Sequence, residues 1–350
     1  MKDVLPEITK WTERGHQIAL ATVVGVQRSA PRPPGAKMAV NERGEIAGGV
    51  SGGCVEGAVV ELADEVMRGE PPRLVHFGIA DSEAWDVGLP CGGEIDVWVQ
   101  SYAQGRFSAL ASEGGRAAEV TLLEGASPGA KMLVEADGAR SGTLGAPELD
   151  DEAARTAVEL LWAESSERRG PLFFDVIAPA PRLILFGAVD IAASLCTLAR
   201  DTGWRPYVVD PRARFATPDR FPDAEEVIAA WPEEAFARLG GIDPATSIAV
   251  LTHDPKLDDA ALLIALRSPA RFVGAMGSRR AQATRRERLL AAGMNEEELE
   301  RLAAPLGLDL GAVGREETAL SVLAEVVAAR HGRDGGRLAD RDGRIHEVPA

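Results

Sequence analysis

The chain has 350 residues, 45% hydrophobic and 26% charged, the balance of an ordinary soluble protein with room for two or three domains. Its 38 basic against 54 acidic residues leave a net charge of −16, which argues against nucleic-acid binding, because grip on a phosphate backbone is largely electrostatic. Apolar runs stay short of a membrane span, and charges fall among Met1 to Trp11 where a secretory leader needs a hydrophobic core, so a cytoplasmic protein with no membrane partner is expected.

The first clear element is an alternating strand, Ile18 to Val26, with a threonine inside it. A hairpin region beginning at Pro34-Gly35-Ala36-Lys37-Met38 follows, then a helix-like stretch from Val55 to Met67 and a short strand from Leu74 to Phe77. The same order returns further on. Pro128-Gly129-Ala130-Lys131-Met132 repeats the hairpin start, and Val40, Gly44, Gly48 and Val50 match Val134, Gly138, Gly142 and Leu144. Around it stand a strand over Ala118 to Leu123, a helix over Asp151 to Trp162 and a strand over Leu172 to Val176. The expectation is an α+β domain over 1–178 made of two copies, about 16–100 and 115–177, of one strand, hairpin, helix, strand unit.

The copies differ where chemistry would sit. The first has Ser29-Ala30-Pro31-Arg32-Pro33-Pro34 before its hairpin glycine and Ser51-Gly52-Gly53-Cys54 before its helix; the second has only Ser127-Pro128 and Leu144-Gly145-Ala146-Pro147 there. The first is therefore read as carrying a site and the second as scaffold. Cys54 after Gly52-Gly53 and Cys91 before Gly92-Gly93 are mirror-image settings in which glycine clears the surroundings of each sulfur. A helix beginning near Cys54 would place the sulfur at the positive end of the macrodipole, beside unpaired amides from Gly52 onward, which favours the thiolate that bonds soft metals. The plain alternative is a packed small hydrophobe. Glu56 reads as a first-turn partner of the helix dipole, and Arg28 and Arg32 as holders of an oxyanion or phosphate unless they are simply solvated. With Cys196 the three cysteines make neither an even disulfide framework nor a zinc set, so free thiols are expected.

Ala178-Pro179-Ala180-Pro181 marks a boundary near residue 180. Beyond it come a buried parallel strand, Leu183 to Phe186, a helix from Ile191 to Asp201 and a second strand, Tyr207 to Asp210. Strands at Ser247 to Leu251 and Arg271 to Ala275 each precede an amphipathic helix, and a last helix covers Glu316 to Ala329. The fold class is α/β overall, a Rossmann-like doubly wound parallel sheet over 182–331 following the duplicated α+β domain, with a polar tail over 332–350. Asp210 stands 23 residues after Gly187, close to the spacing at which an acidic side chain meets a ribose. The glycine fingerprint itself is damaged: Gly187-Ala188-Val189-Asp190 keeps only the first glycine, which weighs against NAD(P). Asp210-Pro211-Arg212, Thr252-His253-Asp254 and Gly277-Ser278-Arg279-Arg280 stand at strand ends, where such sheets bind ligands. Arg279 and Arg280 would seat an anion, and His253 reads as a base or a structural donor. The glycines of Leu306-Gly307-Leu308-Asp309-Leu310-Gly311 suggest a tight backbone contact.

These segments together resemble the XdhC/CoxI family of accessory factors for molybdenum hydroxylases, over nearly the whole chain. The likeness is carried by Pro31-Arg32 with Gly35-Ala36, Ser51-Gly52-Gly53-Cys54-Val55-Glu56 and Cys91-Gly92-Gly93. Asp210-Pro211-Arg212, Leu251-Thr252-His253-Asp254, Gly274-Ala275-Met276-Gly277-Ser278-Arg279-Arg280 and Pro305-Leu306-Gly307-Leu308-Asp309-Leu310-Gly311-Ala312 extend it. The altered glycine loop looks more like the CoxI branch. The resemblance implies a chaperone that binds molybdenum cofactor, as molybdopterin or its cytosine dinucleotide form. It would shield the cofactor while a cysteine desulfurase sulfurates it and deliver it to an apo-molybdenum hydroxylase of xanthine or carbon monoxide dehydrogenase type. It also leaves room for a homodimer. On this reading Cys54 and Cys91 would meet the metal end, and Arg32, Gly52, Gly53, Gly92 and Gly93 would also contact the cofactor. Gly187, Asp210, Arg212, His253, Asp254, Ser278, Arg279 and Arg280 would meet the phosphate or nucleotide end, in a cleft between the domains. An NAD(P)-dependent oxidoreductase and an assembly factor that binds protein without cofactor are the competing readings.

Overall fold

A computed structural model describes residues 1–28, 31–78 and 93–341. They form two compact units, one reaching Pro179 and one starting at Ala180.

The first unit is a duplication. Its first copy runs α1 (Leu5–Glu13), β1 (Ile18–Gln27), β2 (Lys37–Asn41), β3 (Ile46–Gly48), α2 (Glu56–Met67), β4 (Arg73–Phe77) and β5 (Glu94–Ser101). The second repeats it as α3 (Arg106–Glu113), β6 (Ala117–Leu122), β7 (Lys131–Glu135), β8 (Arg140–Gly142), α4 (Pro147–Ala163), β9 (Glu167–Arg169) and β10 (Leu172–Ile177). Each copy makes an antiparallel sheet, ordered β3-β2-β1-β5-β4 and β8-β7-β6-β10-β9. The sequence comparison set Leu74 to Phe77 against Leu172 to Val176; the sheet orders instead make β9 the partner of β4 in the duplication, and β10 that of β5. The leading helices α1 and α3 also belong to the repeat, although neither is expected from the alignment.

Alternation along the strands decides the layers. Ala19, Ala21 and Val23 of β1 share a core with Val59, Ala63 and Val66 of α2, and Ala118 and Val120 of β6 do the same with Ala153, Ala157 and Leu161 of α4. The opposite faces meet through Val24, Trp98, Leu123 and Phe173. Burial of side chains of this size stabilises by roughly 1.5–3 kcal/mol each. The matched hairpin glycines have a shared cause. Gly48 and Gly142 both have left-handed backbones, and a Cβ on either would lie 2.3 Å from the carbonyl oxygen of Lys37 or Lys131.

The motif lysines themselves part company. Lys37 is buried and crosses to Asp175 of the other copy at 2.5 Å, whereas Lys131 pairs at 2.6 Å with Glu119 of its own sheet and stays partly exposed.

The second unit contains β11 (Arg182–Phe186), α5 (Asp190–Asp201), β12 (Arg205–Val209), β13 (Glu226–Ile228), α6 (Pro232–Arg238), β14 (Thr246–Val250) and α7 (Pro255–Ala265). It continues with β15 (Phe272–Ala275), α8 (Arg279–Ala291), α9 (Glu296–Glu300), β16 (Leu302–Ala303) and α10 (Arg315–Arg330). The six strands are parallel in the order β13-β12-β11-β14-β15-β16, a Rossmann sheet in which the order of strand addition switches sides between β11 and β14. Apolar residues cover both its faces, which is why its strands read as unbroken hydrophobic runs. Gly307 makes the close contact its motif suggests: a Cβ there would lie 2.6 Å from Ser321 Oγ of α10. No described helix is long and apolar enough to cross a membrane.

Candidate functional site

Strand register gathers the distinctive segments of the first copy at one end of its sheet. Gln27 at the end of β1 lies opposite Glu94 at the start of β5, Phe77 at the end of β4 lies opposite Ile95, and Gly48 at the end of β3 lies opposite Met38. The connections 28–36, 49–55 and 78–93 therefore leave from the same edge. Pro31 stands over Gly52, 3.8 Å from where a side chain would begin. Arg32 is half-buried, 4.0 Å from the Asp3 carboxylate, and Gly93 is buried just ahead of β5. Cys91 and Gly92 lie outside the described residues. In the second copy the last of these connections shrinks to Gly170 and Pro171.

Cys54 is half-buried and packs against the core beneath α2. Helix α2 begins two residues later, at Glu56, and that side chain changes the expected electrostatics. One Glu56 carboxylate accepts hydrogen bonds from five backbone N–H groups, those of Val50, Ser51, Gly52, Gly53 and Val55, at 2.8–3.2 Å. It also accepts the Ser51 hydroxyl at 2.6 Å, while Ser51 Oγ in turn accepts the N–H of Cys54 at 3.0 Å. Gly52 and Gly53, with φ of 85° and 116°, supply the left-handed turn that points these amides inward. The amides expected to stand free beside the sulfur are thus already satisfied. Burial works against a charge here, but the Ser51 hydroxyl and the amides of Ser51 and Gly53 outweigh it and bring the Glu56 carboxyl down to about 2. Cys196 is different: buried in α5, its thiol is pushed up to about 12 by burial, an inert setting.

At the same sheet edge His76 Nδ1 meets Asp96 at 2.8 Å, and Arg168 of the second copy donates to Asp96 at 3.2 Å. No signal in the sequence marks this chain of charges, since its members lie far apart along the backbone. Among the described residues no cluster of three or more His, Cys, Asp or Glu side chains is placed to hold a metal.

In the second unit the expected residues line the carboxyl ends of four adjacent strands. A Cβ on Gly187 would lie 2.3 Å from Thr252 Cγ2, so the turn after β11 is packed against the end of β14. The Asp210 carboxylate is fully buried; it accepts the Ala188 N–H at 2.9 Å and two guanidinium N–H groups of Arg212 at 2.8 and 2.6 Å. Burial would raise its pKa, yet Arg212 and the Ala188 amide hold it below the usual aspartate value. Arg220, which the sequence does not flag, lies across the same turn, donating to Ala188 O at 3.0 Å and to Asp190 at 3.2 Å. Asp210 and Arg220 thus tie down the turn at Ala188, and Asp190 adds an acidic side chain at the start of α5.

Asp254 caps α7 by accepting the Lys256 N–H at 3.0 Å, and Ser278 caps α8 by accepting the Ala281 N–H at 3.2 Å. His253, Arg279 and Arg280 are exposed, and neither arginine has an ion pair among the described residues. Beneath them a buried pair, Arg285 to Asp258 at 2.8 Å, ties the two loops together, because Asp258 accepts the Thr252 hydroxyl and Arg285 donates to Met276 O at 3.1 Å.

Comparison with known proteins agrees with both units. The XdhC and CoxI family model matches residues 11–78 and 110–169, and the XdhC Rossmann domain model matches residues 183–326. A Bacillus subtilis protein, named as a probable component of xanthine dehydrogenase, is 29% identical over 326 residues, covering 91% of this chain and 94% of its own. The Escherichia coli molybdenum cofactor insertion chaperone PaoD is 29% identical over 317 residues, covering 90% and 84%. A crystal structure described as a xanthine dehydrogenase from Bacillus halodurans superposes with a TM-score of 0.65 at 25% identity, over 97% of this chain and 98% of that one. The chain belongs to the XdhC/CoxI family.

Proposed function

We propose that the protein takes molybdenum cofactor as cargo, shields it and inserts it into an apo-molybdenum hydroxylase. Family membership and the relative named as an insertion chaperone support this role. In the finer reading the cargo is protected while a cysteine desulfurase supplies its terminal sulfido ligand, and the client is of xanthine or carbon monoxide dehydrogenase type. The observation that carries the proposal is the one-sided elaboration of the duplication, in which a half-buried thiol, Cys54, stands at a sheet end whose connections 49–55 and 78–93 are longer than their counterparts 143–146 and 170–171 in the second copy.

The residues suit the cargo. A thiol with glycine neighbours suits a soft metal centre, with Cys91 as a second contact through the 78–93 connection. Arg279 and Arg280 at the start of α8, with Ser278 before them and Arg212 just past the end of β12 in the same sheet, suit a phosphate or cytosine nucleotide end. The Ala188 N–H is already taken by Asp210, and Asp190 places a carboxylate at the start of α5 where it pairs with Arg220, which disfavours an NAD(P) oxidoreductase.

The test is to produce the chain in cells that make the cofactor and to measure molybdenum and oxidised pterin in the purified protein. Both should copurify, and adding the loaded protein to apo-hydroxylase should restore activity. Capture of the hydroxylase with neither molybdenum nor pterin above background would instead support a cofactor-free assembly factor.

A further inference from the structure

The duplication carries an internal control for Glu56. In the second copy Asp150 occupies the matching place: each acid accepts the N–H lying six residues earlier, Val50 for Glu56 at 3.2 Å and Leu144 for Asp150 at 2.7 Å. Each also accepts a hydroxyl, from Ser51 or from Thr143. That much is a clamp between the end of the hairpin and the following helix, and both copies need it. Asp150 accepts no other backbone N–H among the described hydrogen bonds, whereas Glu56 gathers four more, all from the segment that carries Cys54. Those four bonds do nothing that the second copy requires for folding.

We infer that Glu56 is a positioning residue for Cys54, holding the Ser51–Val55 loop in one conformation so that the thiol is presented from a fixed place against the core. The inference rests on Cys54 being the thiol that meets the cargo, but its structural content can be read without any cargo. A carboxylate is the group that can do this, since it offers two acceptor oxygens and no donor to five converging N–H groups. An amide in its place would turn an NH2 group toward some of them. An aspartate, as in the second copy, keeps the charge with one methylene less reach.

The test uses the full chain with Glu56→Gln, Glu56→Asp and, as the clamp-only control, Asp150→Asn. Iodoacetamide labelling of native protein is followed at the Cys54 peptide by mass spectrometry, alongside thermal unfolding. Releasing the loop should speed Cys54 labelling about tenfold in both Glu56 variants, while Asp150→Asn lowers the melting temperature and leaves labelling within about twofold of wild type. Glu56→Asp keeps the question decidable if Glu56→Gln does not fold. Labelling of Cys54 at the wild-type rate in Glu56→Asp and Glu56→Gln would overturn the inference and leave Glu56 as a clamp. Faster labelling in a protein that never retains molybdenum would uphold the positioning role and count against the proposed function.

Discussion

The two copies in the first unit were built from one plan and have kept different parts of it. Both retain the hairpin glycine that lets two backbones touch, the helix over the sheet and an acid that clamps the hairpin to the helix. The first copy alone adds the left-handed Gly52-Gly53 turn, the half-buried Cys54 and a long connection between its last two strands. Features shared by the copies report what the scaffold needs, and features confined to one copy report what the scaffold is used for. The division also separates two kinds of lysine in one motif, since Lys37 joins the copies and Lys131 serves only its own sheet.

That comparison can be broken most forcefully at Lys37. Lys37→Ala strands the Asp175 carboxylate between the sheets and should cost about 3–5 kcal/mol in urea unfolding, while Lys131→Ala, removing a partly exposed pair, should cost under about 1 kcal/mol. Equal losses would dissolve the distinction. The glycines sharpen the opposite side: Gly48→Ala and Gly142→Ala both force a Cβ against a carbonyl from a left-handed backbone, and each should destabilise by about 1–3 kcal/mol. A tolerated Gly142→Ala beside a damaging Gly48→Ala would mean that the close backbone approach is not the shared constraint, and would point to Val4, which crowds Gly48 alone.

Acid acts on the clamp more gently. The Glu56 carboxyl titrates at about 2 in the fold against an ordinary 4.5, so its stabilisation is complete above 4.5 and fades as pH falls toward 2. The amide resonances of Ser51 and Gly53 should move with a midpoint near 2; a midpoint near 4.5 would mean that the N–H groups do not hold the carboxylate. The smallest structural effect belongs to the crest of the second unit. Replacing Arg279 and Arg280 together by alanine should leave stability within about 0.5 kcal/mol, yet weaken cargo binding and flatten its salt dependence. Unchanged binding would remove them from the phosphate end.

The duplication was legible because Pro-Gly-Ala-Lys-Met and the spaced glycines answer to the same backbone contacts in both copies. The parallel sheet was legible because burial on both faces makes hydrophobic runs of β11, β12 and β14. The misaligned last strands trace to β9, three residues of Glu167-Arg168-Arg169 without a strand-like pattern, against a first copy whose equivalent strands stand far apart in sequence. β13 and β16, edge strands of three and two residues, are too short to carry a hydrophobic run. Glu56 read as a helix-start acid because its six acceptor contacts exist only once two glycines bend the chain back over it. The spacing it shares with Asp150 was the available signal. Arg220 had none, since its bonds to Ala188 and Asp190 depend on where a long loop returns.

In the proposed function the first copy's thiol loop holds the metal end of the cargo. That role is tested most directly by the molybdenum-to-protein ratio of Cys54→Ala beside the wild type, both purified from cofactor-producing cells and both shown to unfold at the same midpoint. A loss of about tenfold in bound molybdenum with the fold intact is the result expected from losing a soft metal contact. Equal molybdenum in the two proteins would contradict it.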